Sequence, residues 1–156
     1  MSKPALNSVA PDFTAPVAGE GYPAGGELTL SSLRGKPVVL YFYPKDDTPG
    51  CTKQACIIRD AWQKVTRRAH LFGVSIDSIK SHERFIQKYG LPFPLVSDED
   101  KMIAEAYGVW VEKSLYGRKY MGVERTTFII DKSGKIKAIL EKVKPELHLD
   151  QVLAAL

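Results

Sequence analysis

The chain is poor in several residue types that would have defined it. It has two cysteines, Cys51 and Cys56, and three histidines among 156 residues. A scaffold stapled by several disulfides is therefore excluded. His70, His82 and His148 stand apart, with no Cys or acidic partner at metal-ligand spacing, so each is read as structural or exposed and no metal site is expected. Long apolar runs are also missing. "VVLYFY" and "TTFII" fall far short of the roughly 20 residues a membrane helix needs, and "MSKPALNSVAPDF" carries no apolar signal core. These features place the chain in the cytoplasm, off the membrane. The net charge is +4, but Lys and Arg are scattered, with Arg67–Arg68 the densest spot, which argues for solvated helix faces and against a nucleic-acid stripe. No phosphate-binding loop or nucleophilic serine motif occurs. "GEGYPA" at 19–24 fits a dinucleotide-binding glycine pattern only formally, because no strand precedes it and Pro23 interrupts it; no cofactor is expected.

What is present reads as one domain over residues 1–156, with 44% hydrophobic and 26% charged residues. Residues 1–35 are rich in Pro, Gly and Ser and read as a wrapping arm in which only "ELTLSSL" suggests a short strand and turn. "PVVLYFYP" at 37–44 is a β-branched and aromatic run suited to a central strand covered on both faces. From Cys51 to Ala69, Ala55, Ile58, Trp62 and Val65 recur at helical spacing, predicting an amphipathic helix. "HLFGVSI" and "FPLVS" read as strands. "SIKSHERFIQKYG" reads as a helix ended by Gly90, and "DEDKMIAEAYG" as another with acidic residues at its start. "RTTFIID" and "KIKAILEKV", joined by "KSG", read as a hairpin, and "PELHLDQVLAAL" as a closing helix with Pro145 at its first position. The stretch "VEKSLYGRKYMG" at 111–122 reads as a loop near a pocket or a partner. Alternation followed by a hairpin predicts an α/β protein of thioredoxin-like fold, a mixed central sheet flanked by helices.

Both thiols lie in "YPKDDTPGCTKQAC", residues 43–56, where a loop leaving the central strand becomes a helix. In a parallel α/β unit that turn is where ligands collect, because the amides at the start of the helix point into the crevice. A thiol at position 51 feels the positive end of the helix, which favours the nucleophilic thiolate. Position 56 is five residues on. On an ideal helix that spacing separates the two Cα atoms by roughly 8–9 Å, whereas a disulfide needs about 4.4–6.8 Å. Bonding the pair therefore requires the first turn or two to unwind.

"PKDDTPGC" also fits the Pro-x-x-x-Thr-x-x-Cys signature of the peroxiredoxins, and the chain resembles their bacterioferritin-comigratory protein or peroxiredoxin Q branch. The likeness continues through "PDFTAP", "VSIDS", "FPLVSDED", "ERTTFIIDKSGKI" and "VKPELH". The resemblance implies a thiol peroxidase that reduces hydrogen peroxide and organic hydroperoxides, with thioredoxin or a similar thiol protein as reductant, and a monomer or weak dimer. Cys51 is then the peroxidatic thiol and Cys56 the resolving one; Pro44 and Thr48 shape the pocket and Arg125 is the active-site arginine. Many relatives carry Glu three residues after the reactive cysteine. Here Gln54 stands there, removing a charge that could tether the arginine. The rival reading is a thiol–disulfide oxidoreductase or redox-regulated interaction module. Those usually carry Cys-x-x-Cys and a proline before the later hairpin strand, and the spacing here and "VERTTF" fit neither.

Overall fold

A computed structural model describes residues 2–156. Strand β3 (Val38–Phe42) runs through the interior of the sheet, with all five of its residues buried. It pairs in parallel with β4 (His70–Ser75), which pairs in parallel with β5 (Leu95–Ser97). On its other side β3 pairs antiparallel with β8 (Thr126–Ile130), and β8 with β9 (Ile136–Leu140). Two further strands, β1 (Thr14–Ala18) and β2 (Glu27–Thr29), extend the sheet past β5, giving seven strands in the order β2-β1-β5-β4-β3-β8-β9. The mixed sheet matches the expected architecture.

Strand alternation decides what each face carries. Val39, Tyr41, Leu71, Leu95 and Ile129 face helices α1 (Pro49–Asp60), α2 (Trp62–Thr66), α3 (Ile79–Tyr89) and α5 (His148–Ala155), with Ala55, Ile58, Val65, Phe85 and Val152 filling that layer. Val38, Leu40, Phe42, Val74 and Phe128 face the opposite way, toward α4 (Met102–Ala106) and the N-terminal segment with Ala10, Leu28 and Leu30. Among the described residues no helix is long and apolar enough to cross a membrane.

The helix ends follow their sequence signals where these are strong. The Ser78 side chain accepts a hydrogen bond from the Ser81 amide at the start of α3, and Gly90 takes the left-handed conformation (φ +61°) at its end. The Asp98 carboxylate accepts from the amides of Ile103 and Ala104 at 3.0 and 2.8 Å, so the acidic residues before α4 do cap it.

Four expectations need correction. The N-terminal segment is more than a wrapping arm, since β1 joins the main sheet through Val17↔Val96 and Ala18↔Leu95. The helix predicted over 51–69 is two, because Ala61 leaves helical geometry (φ −117°, ψ 22°). Pro145 lies in a turn, and the last helix begins three residues later at His148. The stretch 111–122 is no loop: β6 (Trp110–Leu115) and β7 (Arg118–Val123) form their own antiparallel hairpin, turning at Tyr116 and Gly117, both with positive φ (+51° and +78°).

One glycine reports how tightly the centre of the sheet is closed. A Cβ on Gly73 of β4 would meet Leu95 Cδ2 at 2.7 Å and Tyr41 Cζ at 2.9 Å, both in fully packed surroundings. Gly73→Ala is therefore expected to destabilise the protein by about 1–3 kcal/mol through overpacking. Urea unfolding of the variant should show the lower midpoint at an unchanged slope.

Candidate active site

The loop from Tyr43 to Thr48 leaves β3 and is fastened at several points before α1 begins. The Tyr43 amide donates to Val74 O at 3.1 Å, and the Asp46 amide to Asp77 Oδ2 at 2.9 Å. Asp47, at φ +55°, receives Lys88 Nζ and the Tyr89 hydroxyl from α3, each at 2.8 Å, and the Lys88 contact leads in holding its carboxyl below the ordinary aspartate range.

Helix α1 then starts with Thr48 at its cap and Pro49 in first place. The Thr48 hydroxyl does not cap. It donates to Lys45 O at 2.8 Å, so the first-turn amides receive no side-chain acceptor from it and stay directed at whatever lies beyond the helix end. With its hydrogen committed, the Thr48 oxygen is left as an acceptor.

Cys51 is in that first turn and is 2% exposed, walled on one side by the apolar layer that includes Tyr41, Ala55 and Val152. On the other side stands Arg125, just ahead of β8, whose Nη2 donates to Cys51 Sγ at 3.4 Å. Its Nη1 donates to Gln54 Oε1 at 2.5 Å. The sequence reading left the tethering of the arginine in doubt because Gln54 lacks a charge; the amide oxygen supplies the tether without one. Gly50 makes room, since a Cβ there would lie 3.2 Å from Arg125 Nη2. Gln54 is wholly buried, and its Nε2 has no protein partner.

Of the five residues singled out by sequence, Cys51 and Arg125 touch. Thr48 sits three residues before the thiol at the cap, and half-buried Pro44 opens the loop. Cys56 is also a free thiol, partly exposed and further along the same helix, so the pair is unbonded with α1 intact.

Sequence reasoning assigned neither of two neighbours to the site, although it set the 111–122 stretch near a pocket or a partner. Lys113 of β6 lines, with Val111, Glu124, Lys142 and Val143, a cleft of about 480 Å³ that Arg125 also borders. Burial first, then the charge of Arg125, holds its ammonium below the usual lysine range. The alternation of 110–115 around a Tyr-Gly turn was the available signal. The second is His148 of α5, fully buried against Tyr41 (ring centroids 5.4 Å apart), with Nε2 2.7 Å from Thr127 Oγ1. His70, by contrast, is half-buried, as that reading allowed. A cluster of Asp46, Asp77 and His82 gathers atoms within 4.8 Å of one another, but each is already engaged by protein hydrogen bonds.

The family sequence model for AhpC/TSA matches residues 6–139. A putative peroxiredoxin bcp of Coxiella burnetii is 50% identical over 148 residues, covering 94% of this chain and 95% of that protein. Peroxiredoxin Bcp of Bacillus subtilis is 45% identical over 133 residues, 85% of each chain. Among solved structures, the bacterioferritin comigratory protein of Xanthomonas campestris, described for its alkyl peroxide reduction activity, superposes with a TM-score of 0.82 at 39% identity, covering 92% of this chain and 88% of that one.

The buried His148 yields a pH expectation. Desolvation, with Arg125 adding to it, pushes the ring down to about 3. In the unfolded chain it titrates near 6.5, so between about pH 6.5 and 3 the unfolded chain binds a proton that the folded one refuses. Its contribution to stability is whole above that window and is lost as pH falls through it. Asp98, raised by burial to about 6, works in the opposite direction below that pH. His148→Gln should therefore flatten the acid decline of unfolding free energy relative to the parent, measured by urea titration from pH 7 to 4.

Proposed function

The chain belongs to the AhpC/TSA family, beside the Bcp and peroxiredoxin Q proteins, and from that premise we propose that it is a thiol peroxidase reducing hydrogen peroxide and organic hydroperoxides at Cys51. The observation that carries the assignment to this thiol is the guanidinium of Arg125 set 3.4 Å from Cys51 Sγ and tethered by Gln54.

In the proposed cycle the Cys51 thiolate attacks the terminal oxygen of ROOH. The O–O bond breaks, the sulfur is oxidised to sulfenic acid, and RO⁻ leaves as ROH after taking a proton. Converting a thiol of ordinary acidity, near pKa 8.5, fully to thiolate gains at most about thirtyfold at neutral pH, so the larger share of the acceleration comes from stabilising charge on the departing oxygen. Arg125 is placed to donate to both peroxide oxygens, and the amides of the first turn of α1 add donors from the positive end of the helix. The Thr48 oxygen, free to accept, orients the hydroxyl of the peroxide. Pro44 contributes shielding without a competing N–H.

Cys56 then attacks the sulfenic sulfur. An S–S bond forms within the chain, water leaves, and a dithiol reductant of the thioredoxin kind restores both thiols while becoming oxidised itself. The reading takes residues 1–156 as one catalytic domain working in the cytoplasm as a monomer or weak dimer, and with only two cysteines in the sequence a disulfide between chains is not expected. The wide spacing of the two thiols on α1 disfavours simple disulfide exchange as the main activity.

Stopped-flow measurement of peroxide consumption by the reduced protein tests the assignment. Cys51→Ser should abolish it, and surviving turnover would mean another nucleophile. Arg125→Ala should lower the rate constant for Cys51 oxidation by about 10²–10³-fold, the range for losing a donor to a developing oxyanion. Cys56→Ser should support a single reduction event and then stall, with sulfenic or sulfinic Cys51 visible by mass spectrometry; unchanged steady-state turnover would remove Cys56 from the cycle. In the verified disulfide form, amides from Thr52 to Ile57 should lose hydrogen-exchange protection.

A further inference from the structure

Behind the loop that presents Pro44 and Thr48 lies a buried polar knot that the peroxide chemistry above does not use. The side chain of His82, from α3, is wholly buried, and that of Asp46 is 3% exposed. His82 Nδ1 lies 2.7 Å from Asp46 Oδ2, and its Nε2 lies 3.0 Å from the Val96 carbonyl oxygen on β5. A backbone carbonyl only accepts, so Nε2 carries a hydrogen. Asp46 already accepts from the Tyr43 hydroxyl at 2.5 Å and the Ser81 hydroxyl at 2.8 Å, two hydrogen bonds that favour its carboxylate form over the neutral acid. A ring with hydrogen on Nε2 alone would aim a lone pair at that carboxylate. The short Nδ1 contact requires a second hydrogen on the ring.

Charge balance points the same way. Asp77 Oδ2 accepts from the Asp46 amide and from the Ser75 hydroxyl, and lies within 4.8 Å of both Asp46 and His82. Neither Asp46 nor Asp77 is paired with Lys or Arg, and the nearby Lys88 is drawn outward to Asp47. The titratable groups facing the ring are Asp46 from the loop, Asp77 from the turn after β4 and Tyr43 from the end of β3, whose ring centroid is 6.5 Å away; β5 supplies only a carbonyl. The ring is the group set to balance the two carboxylates.

We propose that His82 is a positioning residue for the peroxide step, held as an imidazolium between Asp46 and Val96. It locks α3 and β5 to the 44–48 loop and so fixes Pro44, Thr48 and the first turn of α1 around the sulfur. The inference rests on the reading of Cys51 as the peroxide-reacting thiol. Asp46 is five residues from Cys51 and stands between the two pocket-shaping residues, Pro44 and Thr48, so slack at Asp46 moves the groups that orient the substrate.

Two measurements test it. In ¹⁵N-histidine NMR of the reduced protein, His82 is expected to show hydrogen on both nitrogens. In Asp46→Asn it should show hydrogen on Nε2 alone, because the Asn amide then donates to Nδ1. A singly protonated ring in the parent protein would overturn the proposal. In His82→Gln, oxidation of Cys51 by hydrogen peroxide and by an alkyl hydroperoxide should slow by about 10- to 100-fold, the cost of a misplacement on the order of 1 Å. Alkylation of Cys51 by iodoacetamide, which needs the thiolate but no oriented oxygen, should stay within about twofold. An unchanged peroxide rate, or an equal loss in both reactions, would overturn the positioning role. If Cys51→Ser keeps peroxidase activity, the nucleophile is misassigned while the NMR result on His82 still stands.

Discussion

The contact between the Arg125 guanidinium and the Cys51 sulfur joins two segments 74 residues apart, and the topology of the sheet is what brings them together. Strands β3 and β8 run antiparallel, with Phe42 opposite Thr126. The end of one strand is therefore the beginning of the other. Arg125 stands one residue before Thr126, and the loop after Phe42 leads to Cys51. Had β8 entered parallel like β4, its first residue would lie at the far end of the sheet from the thiol. The switch from parallel to antiparallel pairing thus serves the chemistry directly. It places a cation across from a helix start whose dipole points the same way.

Gln54 refines that contact. A carboxylate at this position would hold the guanidinium more strongly, but it would also neutralise the charge that the sulfur and a peroxide oxygen need. The amide oxygen fixes Arg125 by one hydrogen bond and leaves its charge to act on Cys51. The arrangement has a cost. Gln54 Nε2 is buried without a protein partner, as are the Tyr41 hydroxyl and His148 Nδ1. Each such group typically costs about 1–3 kcal/mol. Local rules broken beneath the proposed peroxide-reacting thiol fit the tendency of proteins to accept poor local satisfaction where function demands a particular geometry.

Much of the sheet was legible because its signals are local. An unbroken apolar run marked β3, and the Gly134 turn marked the β8–β9 hairpin. Gly90 marked the end of α3. The β6–β7 hairpin was harder, since Tyr-Gly is a weaker cue than Asn-Gly for a turn with two positive φ values, and β6 and β7 expose most of their side chains. Strand β1 was hidden by Pro16, which reads against a strand. The thiols, Thr48 and Pro44 were legible because they share one contiguous motif, whereas Arg125 needed the family resemblance. No sequence pattern disclosed the Asp46–His82 pair, because 36 residues separate its members and only the packing of α3 on the loop brings them together.

Helix α1 has to satisfy two demands that conflict. The proposed peroxide step requires Cys51 in an ordered first turn, and the proposed resolution requires that turn to come apart so that a thiol five residues on can reach it. The sequence divides the helix accordingly. Its first turn lacks a side-chain cap and includes Gly50, worth about 1 kcal/mol less than alanine in a helix. A missing cap weakens the same turn by a similar amount. Further along, Ala55 and Ile58 are buried in the core, and Arg59 Nη1 donates to Tyr89 O at 2.7 Å, tying that end to α3. Unwinding is therefore cheapest at the N-terminal end, where Cys51 sits. The order of the reduced site is consequently imposed from outside the helix, by the loop fastened through Asp46 and Asp47 and by the guanidinium that holds Gln54. In the proposed cycle, oxidation of Cys51 changes the group that Arg125 meets, and so acts on one of the contacts that hold the first turn.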